Sequence, residues 1–156
     1  MAVKPIPDGY HTLTPYLIVK GAREALEFYK KAFGAETIFC MDHGGKVGHA
    51  EFKIGDSMVM MADEAPEMGA KAPQTFGGSA VNFCLYVPDV DTLFKRALDA
   101  GGKQTRPVKD QFYGDRSGTL VDPFGHTWTI ATHKEDLSPE DLKKRADAAM
   151  KSGECS

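Results

Sequence analysis

Apolar positions along this chain follow two rhythms, one of period two and one of period about 3.6, and the switches between them mark its elements. Residues 12–19, "TLTPYLIV", are β-rich. In the "KGAREALEFYKKAFGAE" that follows, Ala22, Ala25, Leu26, Tyr29, Ala32 and Phe33 recur at helical spacing, and Gly34 supplies a stop. Three short β-like runs come next, "ETIFCM", "GHAEFKI" and "SMVMMA", separated by the turn signals "DHGG" and "GDS". The first half therefore predicts β-α-β-β-β.

Residues 63–79, "DEAPEMGAKAPQTFGGS", combine proline breaks with a Gly-Gly pair and predict a connector with little structure of its own. The same order then returns: "AVNFCLYV" as a strand, "PDVDTLFKRALDAGG" as a helix, and "KQTRPVK", "RSGTLVD" and "HTWTIATH" as strands. Val90, Leu93, Phe94, Ala97 and Leu98 match Ala25, Phe28, Tyr29, Ala32 and Phe33 at a constant offset of 65 residues. A half-chain repeat of this kind predicts an α+β fold of two β-α-β-β-β modules. The expected division is one domain over residues 1–133, with module one at 10–63, a connector at 64–79 and module two at 80–133. A helical tail covers 134–156, capped by Ser138 with Pro139 at the first helical position and carrying only a thin apolar stripe.

Composition narrows the functional classes. The 156 residues fit one domain with a full core, and a net charge of -3 gives no nucleic-acid footprint. No run approaches the length of a membrane span and the N-terminus lacks an apolar leader region. Cys40, Cys84 and Cys155 form an odd set without CxxC spacing, which fits a reducing, cytoplasmic setting better than a disulfide framework.

The densest polar stretch is "YGDRSGTLVDPFGHTWTIATH", residues 113–133. Read as strand, turn and strand, its polar residues scatter to different faces. Asp122, Pro123 and Gly125 fit turn chemistry, while Trp128 and Ile130 alternate with Thr127 and Thr129 and place the tryptophan under the helices. Cys84 lacks a neighbouring base or helix start and reads as a buried strand residue. No phosphate loop, nucleotide fingerprint or Ser-His-Asp set is present.

With "FYKKAFGAE" after the first helix start and "DPFGHTW" at the last hairpin, the doubled unit resembles the vicinal oxygen chelate superfamily. That superfamily includes glyoxalase I, extradiol dioxygenases, fosfomycin-resistance enzymes and bleomycin-resistance proteins. "GHAEFKIGDS" and "FGGSAVNFCLYVPDVD" look most like its bacterial, uncharacterised glyoxalase-like branch. The resemblance implies modules that form curled mixed sheets, two cups forming one site, a divalent metal held by His or Gln on each module's first strand and Glu on its last, and a homodimer in which a module can be exchanged between copies. Aligned on "EFYKKAFG", "ALDAGG" and "DPFG", those ligand positions fall on Thr14, Asn82, Thr129 and Met60, or on Val59 if the register slips by one. Threonine, asparagine and methionine are poor ligands for a hard or borderline divalent ion. No metal and no other cofactor is therefore expected there.

By parity, Tyr16, Ile18, Met58, Cys84 and Tyr86 share the cup with Thr14, Met60, Asn82 and Thr129, a mostly apolar lining that suits a small-molecule pocket or a filled barrel core. Arg116 joins this lining as an oxyanion contact if "DPFG" forms a two-residue loop. It points to the face of Trp128 if Gly125 makes a bulged turn. His49 and Glu51 share one strand face as a ligand pair, an acid-base pair or a solvated pair. His43 falls in a turn, and His11 and His133 sit at strand ends. The function expected is small-molecule binding by a homodimer with no nucleic-acid or membrane partner. The alternative is a metal-dependent lyase or dioxygenase with ligands relocated near His11, His49 or His133.

Overall fold

A computed structural model describes residues 2–153, and Cys155 lies outside the described residues. Module one runs β1 (Tyr16–Val19), α1 (Ala22–Phe33), β2 (Glu36–His43), β3 (Lys46–Ile54) and β4 (Ser57–Asp63). A 3-10 turn (Pro66–Met68) and a one-turn helix α2 (Pro73–Phe76) follow. Module two repeats the order as β5 (Asn82–Tyr86), α3 (Val90–Asp99), β6 (Lys103–Asp110), β7 (Asp115–Val121) and β8 (Thr127–His133), before the tail helix α4 (Pro139–Ser152). Each module is a four-stranded mixed sheet, ordered β1-β4-β3-β2 and β5-β8-β7-β6, with its first strand parallel to its last.

The aligned apolar stripes explain how the modules meet. Ala25, Phe28, Tyr29, Ala32 and Phe33 on α1 are buried, as are Val90, Phe94 and Ala97 on α3, and one core cluster spans both modules. Trp128 packs under the helices as its alternation predicted, 4.8 Å from the Phe33 ring and 5.5 Å from Tyr29 between centroids. Burying each such large side chain contributes about 1.5–3 kcal/mol. Arg96 of α3 donates to the carbonyls of Lys30 and Lys31, satisfying the open C-terminal end of α1 from the other module.

Backbone chemistry sets the element limits. Gly21 lies at φ 93°, and the Asp63 carboxylate at the far end of β4 accepts the Gly21 and Ala22 N–H groups at 2.9 and 2.8 Å, capping α1. Asp89 caps α3 and Ser138 caps α4, the latter accepting the Asp141 N–H at 3.1 Å. The first strand begins at Tyr16, later than residue 12, because Pro15 has no N–H to give the ladder and contributes only its carbonyl, to Met60. Thr14 consequently precedes the strand.

Candidate functional site

With the helices and core between the modules, the sheet faces opposite the helices are left open. On module one that concave face carries Tyr16, Ile18, Met60, His49 and Glu51, with Phe39 and Met41 on the edge strand. Tyr16 and Phe39 flank the His49 ring, with centroids 5.5 and 6.2 Å away. Tyr16 Oη lies 2.8 Å from His49 Nδ1, and His49 Nε2 lies 3.2 Å from Glu51 Oε1. The neighbouring Tyr10 hydroxyl and then His49 hold the Glu51 carboxyl below its ordinary range. Burial, aided by Glu51, pushes Tyr10 up to about 12, and burial raises Tyr16 as well.

On module two the ladder sets two rows side by side. Arg106 pairs with Thr119, Thr119 with Thr129 and Thr129 with Cys84, while Lys109 pairs with Ser117, Ser117 with Ala131 and Ala131 with Tyr86. Arg106 and Lys109 are three apart, so strict alternation would put them on opposite faces. A bulge over Pro107 and Val108 restores them to one face, and Val108 folds back against Gly118. Of these rows, Arg106, Lys109, Ser117, Thr119 and Thr129 line a cleft of about 550 Å³ that also includes Phe112 and Tyr113.

Hydroxyls on this face are linked. Asn82 Nδ2 donates to Thr129 Oγ1 at 3.1 Å, and Thr129 Oγ1 lies 3.0 Å from Thr119 Oγ1. Beyond them, Asp115 is buried, accepts the Tyr86 hydroxyl at 2.7 Å, and lies 2.8 Å from His133 Nδ1. Asp136 meets the other ring nitrogen of His133 at 2.9 Å. The two carboxylates, Asp115 first, raise His133 above its ordinary value, and the Asp115 hydrogen bond pushes Tyr86 up to about 12.

Several expected site residues are thereby relocated. Asn82, Cys84, Tyr86 and Thr129 share the module-two face, whereas Tyr16, Ile18 and Met60 belong to module one. Met58 and Cys84 border a smaller space of about 240 Å³ between the modules, with His11, Leu13, Phe83 and Trp128. Cys84 is exposed, not buried in the strand, and the packing around it and Asp115 raise its thiol, which makes it a weak nucleophile.

Arg116 is a correction. The Asp122 N–H donates to the His126 carbonyl and Gly125 adopts φ 90°, so the turn is the bulged form. Register then sets Arg116 opposite Thr132, on the face of Trp128. There its Nε and one terminal nitrogen each donate at 2.8 Å to Asp91 of α3, and its other terminal nitrogen reaches Asp110. It is not a ligand contact on the concave face.

The expected mostly apolar lining also gives way, on module two, to cations, hydroxyls and an amide. Sequence reasoning named Asp115 only as a carboxylate near the histidines, and passed over Arg106, Lys109 and Asp136. Pro107 inside a strand pattern was the available signal, since a proline there marks an edge or a bulge. Asp115 faces His133 through the register that the bulged turn sets, whereas for Asp136 there was no signal, because a loop brings it to His133.

Paired βαβββ modules with open sheet faces define an α+β class. The family model of the Glyoxalase/Bleomycin resistance protein/Dioxygenase superfamily matches residues 10–130, and the chain belongs to that superfamily. It is 38% identical over 144 residues to an uncharacterised protein of Mycobacterium tuberculosis, covering 90% of this chain and 82% of that one. The X-ray structure of an Arabidopsis thaliana gene product superimposes with a TM-score of 0.64 at 27% identity, covering 78% of this chain and 98% of that one. A glyoxalase/bleomycin resistance protein/dioxygenase from Nocardioides shares the fold with a TM-score of 0.62 at 19% identity, covering 89% and 90% of the two chains.

The superfamily resemblance implies a divalent metal, and the residues at its four positions do not fit one. The Thr129 oxygen is already engaged by Asn82 and Thr119, and Met60 offers only a soft donor. Among the described residues no three His, Cys, Asp or Glu side chains stand together as a metal-holding group.

Proposed function

We propose that this chain is a small-molecule-binding protein of the glyoxalase/bleomycin-resistance type, with its ligand seated on the concave face of module two. The observation that carries this reading is the cleft of about 550 Å³, which has the size of a small-molecule site and combines aromatic walls with a few fixed polar groups. The ligand is held by hydrogen bonds and charge, with no metal or other cofactor.

Two copies close the site. On module one Tyr16, Phe39 and Met41 are 48%, 47% and 48% exposed on one sheet face around His49, and exposed apolar side chains grouped in this way mark an interface. Module one of a second copy laid over the module-two cleft buries that patch and roofs the ligand. No helix of the described residues is long and apolar enough to cross a membrane, and a cytoplasmic setting agrees with the free thiols of Cys40 and Cys84.

A fragment screen read by the methyl and aromatic resonances of the full chain tests the binding reading. Neutral or charged aromatic fragments are expected to move Thr105, Tyr113, Thr119 and Thr129. A screen in which no fragment moves these signals, or in which only module-one signals move, overturns it. Sedimentation tests the closure: the wild type is expected to be a dimer and Phe39→Asp a monomer with an unchanged circular dichroism spectrum.

A further inference from the structure

We infer that the module-two cleft selects organic oxyanions, and that Arg106, Lys109 and the Thr119 hydroxyl form the seat for the anionic head. This rests on the reading of that cleft as the ligand site and names the class of ligand it takes.

Charge is the first argument. Arg106 and Lys109 both line the cleft, and among the described residues neither has a carboxylate within ion-pair distance, while Arg23, Arg116 and Arg145 all do. No carboxylate lines the cleft either. Two like charges on one sheet face repel unless an anion lies between them. The β6 bulge is what creates this arrangement, because a regular strand would turn one of the two cations to the helix side.

Proton accounting is the second argument. Asn82 Nδ2 can only donate, so it fills a lone pair of Thr129 Oγ1 at 3.1 Å. The single proton of Thr129 has two acceptors in reach, Asn82 Oδ1 at 3.3 Å and Thr119 Oγ1 at 3.0 Å. An anion beside Arg106 favours the second acceptor, because Thr119, which pairs with Arg106 across the ladder, then turns its own proton to the ligand. Such a relay delivers an O–H donor beside a guanidinium, and both complement an oxyanion. The carboxylates on the same sheet face do not oppose this, because Asp115 is occupied by Tyr86 and His133.

The rest of the cleft accommodates a flat apolar body. Phe112 and Tyr113 contribute the aromatic wall, with ring centroids 5.2 Å apart and nearly perpendicular. The class is therefore an aromatic or otherwise apolar molecule with one carboxylate, phosphate or phosphonate group. The fork of Arg106 suits any of these heads.

Titration of the full chain with benzoate, phenylphosphonate, inorganic phosphate and the neutral isostere benzamide tests this, read by calorimetry and by the Arg106 Nε–H resonance. Expected are at least tenfold tighter binding of an aromatic anion than of benzamide, weakening as salt rises, and a shift of the Arg106 signal. Arg106→Gln and Lys109→Gln each lose about tenfold, Arg106→Lys recovers part of that loss, and Thr119→Val loses severalfold. Lys103→Gln, outside the cleft, changes nothing. Whether benzoate or phenylphosphonate binds more tightly assigns the head group. If benzamide binds the cleft as tightly as benzoate, or Arg106→Gln leaves anion affinity unchanged in a folded protein, the anion seat is overturned while the cleft survives as a ligand site. If neither anions nor benzamide move any cleft resonance, both readings fall.

Discussion

The Tyr29 hydroxyl of α1 donates to Asp122 Oδ2 at 2.6 Å, joining residues 93 apart in the chain and in different modules. The same buried carboxylate accepts the Trp128 indole N–H at 2.9 Å and the Phe124 and His126 backbone N–H groups, each at 2.9 Å. Four donors converge on one side chain that holds the last hairpin, the core tryptophan and the first helix together.

Removing the acceptor strands all four donors, whereas removing Tyr29's hydroxyl strands none. Asp122→Ala is expected to cost about 3–5 kcal/mol, the range for breaking a buried charged network. Tyr29→Phe, losing one bond to a charged group, is expected to cost about 1.5–3 kcal/mol. Urea unfolding measures both, and equal losses from the two variants would contradict the bracket.

Gly118 is the point at which the β6 bulge meets the helix layer. A Cβ built there stands 2.8 Å from Val108 Cγ2 and 2.9 Å from Phe94 Cε2, closer than real contacts allow. Gly118→Ala is expected to destabilise by about 1–3 kcal/mol, the usual cost of overpacking. Adding Val108→Ala relieves one of the two contacts, so the double variant should melt higher than Gly118→Ala alone. A thermal scan of both decides the point.

The fold was legible because its strongest determinants are periodic. The helical stripes of Ala25 to Phe33 and Val90 to Leu98, the glycine stop at Gly34 and the alternation around Trp128 each report a local rule that the tertiary structure obeys. The site was legible only in part. Asn82 and Thr129 were singled out because a resemblance pointed at their positions, and Thr119, which shares their hydrogen bonds, was not. Asp122 looked like turn chemistry, and its backbone bonds are just that, but its second oxygen serves a helix from the other module. Arg106 was obscured by the bulge, since parity counted through Pro107 gives the wrong face. Arg116 depended on a one-residue choice between two turns, which reverses every side chain beyond it.

His133 stands between Asp115 and Asp136, with Tyr86 on the far side of Asp115, and its raised value makes folding stability depend on pH. The folded state holds the proton more tightly than the unfolded chain does. The stabilisation is therefore fully present below the ordinary value of 6.5 and is lost as pH rises through the higher folded value. His133→Gln should remove this component. Its stability difference from the wild type is expected to be largest on the acidic side of 6.5 and to fade above it, as read from denaturant midpoints across that range. A difference that grows with pH would reverse the assignment.

Tyr10 and Tyr86 are both pushed up to about 12, but for different reasons, and that difference can be measured. For Tyr86 the largest cause is the hydrogen bond to Asp115, which vanishes as a carboxylate interaction when Asp115 becomes asparagine. For Tyr10 the largest cause is burial, with Glu51 second, and burial survives the loss of that charge. Alkaline titration with ring-labelled tyrosine is therefore expected to show Tyr86 falling most of the way to its ordinary value in Asp115→Asn. In Glu51→Gln, Tyr10 should fall only part of the way. Because a neutral amide cannot hold the Tyr86 proton as a carboxylate does, a Tyr86 that stays near 12 in Asp115→Asn would mean that packing, and not Asp115, sets its value.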